Sequence, residues 1–232
     1  MAKIDVKGVI VPNDDKWIYE WFEMDATCPA DVLKGIEAAG GEPIEVEINS
    51  GGGDVYSGSE IYTALMAYTG GVTTKIVGIA ASAASVIATA GRPAMISPTA
   101  EIMIHNVSMV AGGDYRDHNH AAQMLQDYNN TIANAYVLKT GMEKDRLLEL
   151  MNQETWLTPQ QALEMGFVDE IMFTQNSAPV RLAAAVAGGL LPQEVITKVR
   201  NVLQDRAHFD LQKAQTIQNL LKLKGAKYEN DL

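Results

Sequence analysis

The stretch "PIEVEINSGGGDVYSGSEIYTALMAYTGGVTTKIVGI", residues 43–79, decides the fold class. "PIEVEIN" alternates apolar and charged residues with a period of two, which predicts a strand with one buried face. Three glycines follow at 51–53. "SGSEIYTALMAYTGG" then carries a helical pattern that stops on Gly70 and Gly71, and "VTTKIVGI" is rich in β-branched residues again. Strand, helix, strand in so short a span predicts a parallel pair joined by a crossover helix.

Working outward, the unit repeats. Upstream, "VKGVIV" (6–11) reads as a strand and "PADVLKGIEAAGG" (29–41) as a helix ending at Gly40 and Gly41. Downstream, "SAASVIATAG" (82–91) reads as a helix, and "AMISP" and "EIMIHN" as short strands. The pattern predicts an α/β domain with a largely parallel sheet, in which ligands gather beyond the carboxyl ends of the strands. From Asp114 to Lys139 a long polar helix is expected, with Ala122, Leu125, Tyr128, Ile132, Ala135 and Tyr136 on one face. A helix this polar is expected to project and pack against another subunit. Helices near 144–151 and 159–166 and a last strand, "VDEIMF", complete the domain.

Charge separates the chain into two units. Residues 1–174 hold 10 basic against 24 acidic side chains, net −14, whereas residues 175–232 hold 8 against 5, net +3. The domain expectation is therefore 1–174 as one α/β unit and 175–232 as a weakly basic helical extension or interaction arm, with a partly disordered terminus as the alternative. The overall net charge of −11 weighs against nucleic-acid binding. No apolar run is long enough to span a membrane, and the first residues lack a signal-peptide pattern, so a cytoplasmic location is expected. The single cysteine, Cys28, excludes an internal disulfide and a cysteine metal cluster. The four histidines share no short metal-ligand spacing, and neither metal nor cofactor is expected.

Three stretches place polar groups where such a sheet presents them. "INSGGGDV" (48–55) is a glycine turn after a strand, whose backbone N–H groups can converge on an anion or serve only as a tight connection. "GIAASAASVIATAG" (78–91) sets Ser82 at a helix start among small residues. A serine there is commonly an N-cap, yet free N–H groups also suit a nucleophile. Ser85, one turn deeper, reads as a buried structural hydroxyl. In "EIMIHN", His105 ends an apolar strand, either as a hydrogen-bonded structural residue or as a base.

In order and spacing, "INSGGGDV", "GIAASAAS", "IMIHN" and "ETWLTPQQALEMGFVDEI" (154–171) resemble the proteolytic subunit of the Clp protease (ClpP), a family of self-compartmentalised serine peptidases. The resemblance runs from about residue 4 to 173. It implies the ClpP/crotonase-like spiral of βαβ units with a projecting long helix, and a serine endopeptidase acting on polypeptides. It also implies a homo-oligomer, a heptameric ring or stacked double ring. Carried over by position, Ser82 is the nucleophile, His105 the general base, and the N–H groups of Gly53 and Ala83 the oxyanion hole. Glu154 stands where the family has an aspartate and Gly51 where it has a proline. Glu154 is taken as the acid, with Asn152 and Asp169 as nearby alternatives.

The first strand begins almost at once, where the family carries pore loops, which weighs against a Clp-type ATPase partner. Together with the basic tail this is similar to the phage and prophage branch, which processes capsid or scaffold proteins. Two other readings compete. One is a ring-forming scaffold whose triad has decayed; the other is a crotonase-type acyl-CoA enzyme, which would have no use for Ser82 and His105.

Overall fold

A computed structural model describes residues 2–174. The expected helical extension over 175–232 lies outside them. The chain opens with strand β1 (Ala2–Ile10), a short helix α1 (Lys16–Trp21), strand β2 (Ala26–Thr27) and helix α2 (Pro29–Ala39). Strand β3 (Ile44–Gly53), helix α3 (Val55–Ala67) and strand β4 (Val72–Ala81) form the unit first read from the sequence. Helix α4 (Ala83–Ala88), strands β5 (Ala94–Ile96) and β6 (Glu101–Ile104), and the long helix α5 (Tyr115–Thr140) follow. Helix α6 (Lys144–Asn152), strand β7 (Thr155–Leu157), helix α7 (Pro159–Glu164) and strand β8 (Glu170–Ile171) close the described chain.

The main sheet runs β2-β1-β3-β4-β5-β8 with every neighbouring pair parallel, as the alternating pattern predicts. On β3 the period of two is realised literally. Ile44, Val46 and Ile48 are fully buried in the core, and the intervening glutamates point to the other face. There Glu45 pairs with Lys75 at 2.6 Å and Glu47 with Lys3 at 2.8 Å. Such partly exposed pairs contribute little stability, so burial of the aliphatic face carries the sheet.

A fork in β4 positions the site. Its first half pairs with β5 through Thr74 to Ile76, and its second half with β6 through Ile79 to Ala81. The carboxyl ends of β3, β4 and β6 therefore converge, each followed by a segment that carries one of the candidate motifs. Beyond β6 lies β7, the one antiparallel partner in the sheet.

Several expectations are revised. Helix α1 and strands β2 and β7 carry too few residues to display a period. The final strand is two residues long rather than six, because the chain turns at Met172. On α5, Ala135 and Tyr136 are buried and Leu125, Tyr128 and Ile132 half-buried as expected, but Ala122 is exposed, with Ala121 and Ala133 buried instead. The first turns of α5 are exposed throughout, so the helix projects, and its apolar stripe is set by the half that packs on the domain. Asp114 caps its start by accepting from Arg116 N–H, and Gly141 in the left-handed region ends it.

Candidate active site

Ser82 joins β4 to α4. Its backbone N–H donates to Met103 O at 2.9 Å, which extends the β4–β6 ladder by one bond. Its backbone then takes φ 55° and ψ −126°, a conformation that costs a side-chain-bearing residue about 1–3 kcal/mol. A strained strand-to-helix turn of this kind lifts a side chain out of the sheet plane, as in nucleophile elbows. The serine sits at the cap position of α4, but its hydroxyl makes no capping bond. Instead Oγ lies 2.8 Å from His105 Nε2. The common role of a serine at a helix start is thus set aside here in favour of a partnership with an imidazole.

The glycine turn packs directly against this elbow. Gly52 has φ 95°, and a Cβ there would lie 2.7 Å from both Ala81 O and Ser82 Cβ and 3.1 Å from Ala83 N. Gly53, at φ 150°, is held as tightly by β1, since a Cβ would fall 2.1 Å from Ile10 O. Ser50 fixes the turn from below: its hydroxyl donates to Gly8 O at 2.6 Å and accepts from Gly52 N–H at 3.1 Å. The Ala83 N–H belongs to the first helical residue and has no intrahelical partner. Gly52, which the resemblance did not single out, is the glycine of the run whose side-chain position is closed by the serine. The signal that could have found it was the run of three glycines, whose members are not equivalent.

Ser85 is the structural hydroxyl expected of it. Its Oγ donates to Ser82 O at 2.6 Å and lies 2.7 Å from the hydroxyl of Tyr136 on α5. Full burial pushes the Tyr136 phenol well above its ordinary pKa, partly offset by the Ser85 contact, so it stays a protonated donor.

The candidate acids separate clearly. The antiparallel register pairs Ile104 with Thr155 as its last pair, and His105 and Glu154 are the residues that directly follow β6 and precede β7 at that end of the ladder. The Glu154 side chain nevertheless does not reach the imidazole. Its carboxylate accepts from Trp156 Nε1 at 3.4 Å, and its backbone has φ 49°. Asn152 is engaged elsewhere, its Oδ1 accepting from Asn106 Nδ2 at 2.6 Å. Asp169 is tied by Lys139 Nζ at 2.6 Å and Ala94 N–H at 2.7 Å, which makes it a strut between α5 and β5.

A pocket lies beside Ser82 and His105, with Val55, Val86, Val107 and Ile132 among its walls. Arranged in this way, the groups can attack an acyl carbon with a serine oxygen and seat an apolar side chain next to it. Among the described residues no group of three or more His, Cys, Asp or Glu is placed to hold a metal ion. Nor is any described helix long and apolar enough to cross a membrane.

Comparison with known proteins places these residues in context. A family model described as Clp protease matches residues 31–175. The chain is 34% identical over 136 residues to the ATP-dependent Clp protease proteolytic subunit 1 of Protochlamydia amoebophila, covering 57% of this chain and 66% of that relative. It is 31% identical over 141 residues to the subunit of the same description from Chlamydia abortus, covering 59% and 73%. It is also 31% identical over 133 residues to the proteolytic subunit from Deinococcus radiodurans, covering 56% and 65%.

Proposed function

The chain belongs to the Clp protease family of serine-type peptidases, and from that premise we propose that it is an endopeptidase whose nucleophile is Ser82. The observation that carries the reading is the 2.8 Å contact between Ser82 Oγ and His105 Nε2 at the mouth of an apolar pocket. His105 Nε2 takes the hydroxyl proton as Oγ bonds to the peptide carbonyl carbon. The oxygen of that carbonyl gains negative charge beside the N–H groups of Gly53 and Ala83. Collapse breaks the C–N bond, and the imidazolium returns its proton to the leaving amine. A water, deprotonated by the same ring, then hydrolyses the acyl-enzyme and regenerates Ser82.

Glu154 serves as the acid in this reading, supported by its position at the same end of the β6–β7 ladder as His105. This role requires the Glu154 side chain to leave Trp156 and turn to the ring. Glu154→Gln is expected to lower kcat by roughly 100-fold. Unchanged turnover would assign the acid elsewhere. The apolar pocket walls support a preference for an uncharged aliphatic residue on the acyl side of the cut bond. Fluorogenic peptides bearing Leu or Met there should be cleaved without ATP, those bearing Asp or Lys should not, and Ser82→Ala should abolish both activities.

The exposed first turns of α5, residues 115–120, support assembly through that helix into a heptameric ring or stacked double ring. A monomer in light scattering would refute it. The natural role proposed is processing of capsid or scaffold proteins, and the support is a net-positive stretch beyond the family match at residue 175. Removal of 175–232 should weaken substrate capture and leave short-peptide cleavage intact. The competing reading is a ring-forming scaffold without activity, favoured by a Glu154 carboxylate that lies on Trp156. Absence of peptide cleavage by the assembled protein would select it.

A further inference from the structure

We propose that Asn129 and Tyr136, on one face of α5, are positioning residues that hold His105 and Ser82 in register with each other. The inference rests on the peptidase reading above. Seven residues apart on a helix, the two side chains lie two turns and about 10.5 Å from each other. Each reaches one half of the catalytic pair.

Asn129 acts on the histidine side. Its Oδ1 accepts from Val107 N–H at 2.8 Å. Val107 lies two residues after His105, in a segment between β6 and α5 that has neither helix nor strand. The β6–β7 ladder ends at Ile104, so nothing in the sheet fixes the chain beyond His105. Asn129 supplies a backbone anchor there, and the Asn106–Asn152 amide contact at 2.6 Å supplies a second.

Tyr136 acts on the serine side. The Ser85 hydroxyl has a single proton, which it gives to Ser82 O, so in the 2.7 Å contact Tyr136 is the donor. A directed relay results, from the Tyr136 hydroxyl to the Ser85 hydroxyl to the carbonyl of Ser82. That carbonyl belongs to the residue with the strained φ of 55°, where the backbone most needs an external restraint. Between the two anchors, Ile132 forms part of the pocket wall. One stiff helix thus touches the serine turn, the histidine segment and the substrate pocket. Asn129 is not among the pocket's lining residues, and Tyr136, which does line it, turns its hydroxyl to Ser85 rather than to Ser82 Oγ or His105, so both act on the pair through others.

The test uses the full chain and two readouts, hydrolysis of a fluorogenic peptide with a Leu before the cut bond, and labelling of Ser82 by a fluorophosphonate. Wild type must label at Ser82; failure to do so would sink the peptidase reading, and this proposal with it. Given labelling, Asn129→Ala should lower kcat roughly 10-fold with KM and the thermal midpoint unchanged. Asn129→Asp, which keeps the acceptor oxygen, should restore most of that loss when measured at about pH 8.5, above the ordinary histidine range. Tyr136→Phe, which keeps the ring, should slow labelling to a similar degree. Asn130→Ala, next along the same helix and bonded only to Gln126 O, should match wild type. The proposal is overturned if Asn129→Ala retains wild-type kcat while wild type labels normally. It is equally overturned if the loss follows a lowered thermal midpoint without rescue by Asp, or if Asn130→Ala loses as much.

Discussion

Replacing Gly52 by alanine tests how the glycine turn and the serine elbow depend on each other. The new Cβ would stand 2.7 Å from Ser82 Cβ and from Ala81 O. Carbon atoms in ordinary contact sit at about 3.5–4.0 Å, so something must move by roughly 1 Å. Both neighbours are backbone or attached directly to it, and neither can swing away. The φ of 95° adds about 1–3 kcal/mol of strain for any residue with a side chain. A displacement of this size at the nucleophile lowers the reaction rate by roughly 100-fold. Gly51 is the control inside the same turn: a Cβ there meets nothing within 4 Å, and its φ is not positive. Gly51→Ala should therefore be neutral or slightly stabilising, by about 0.5 kcal/mol. The assay pairs thermal unfolding with the second-order rate of fluorophosphonate labelling. If Gly52→Ala labels at the wild-type rate, or Gly51→Ala is as damaging, the packing argument is wrong.

Asp169→Asn removes the countercharge of the Lys139 ammonium, whose side chain is only 3% exposed, and leaves it only neutral acceptors, Gly91 O among them. Unfolding should become easier by roughly 2–3 kcal/mol while the labelling rate of the folded protein is unchanged; slower labelling would return Asp169 to the list of acids. Asp31 offers a pH test. Partial burial pushes its carboxyl up, but the Lys16 ammonium and the Cys28 N–H outweigh it and hold the carboxyl below its ordinary value. A depressed carboxylate stabilises the fold above the unfolded value of about 3.9, and that contribution is lost as pH falls through the folded value. The gap in thermal midpoint between wild type and Asp31→Asn should be full at pH 6 and close in strong acid; a gap that persists at pH 2 would contradict it.

The alternation in "PIEVEIN" and the glycine stops at Gly40, Gly41, Gly70 and Gly71 were enough to place the parallel sheet, because burial of one strand face imposes a period that no other element mimics. Residues 16–21, 26–27 and 155–157 had no such signature: six residues make fewer than two helical turns, and two or three strand residues, whose structure is imposed by the strands they pair with, cannot display a period. The face of α5 was misread at Ala122 by one residue: Ala121 beside it is the buried one, a difference that two adjacent alanines do not reveal. At the site, Ser82 and His105 could be named from motif order, but the elbow that joins them depends on a strained φ that composition does not reveal. The contributions of Gly52, Tyr136 and Asn129 were likewise hidden. Each depends on contacts between segments far apart in sequence, as with the 51 residues separating Ser85 from Tyr136. Glu154 shows another limit: the resemblance named it as the acid by its place in the motif, while the direction of its carboxylate toward Trp156 was not legible in the sequence.

The most direct measurement is to treat the purified protein with a fluorophosphonate and locate the adduct by mass spectrometry. A single adduct on Ser82, abolished in Ser82→Ala and strongly slowed in His105→Ala, is the predicted result. An unlabelled protein, or an adduct on Ser85 or any other serine, would contradict the assignment of Ser82 as the nucleophile.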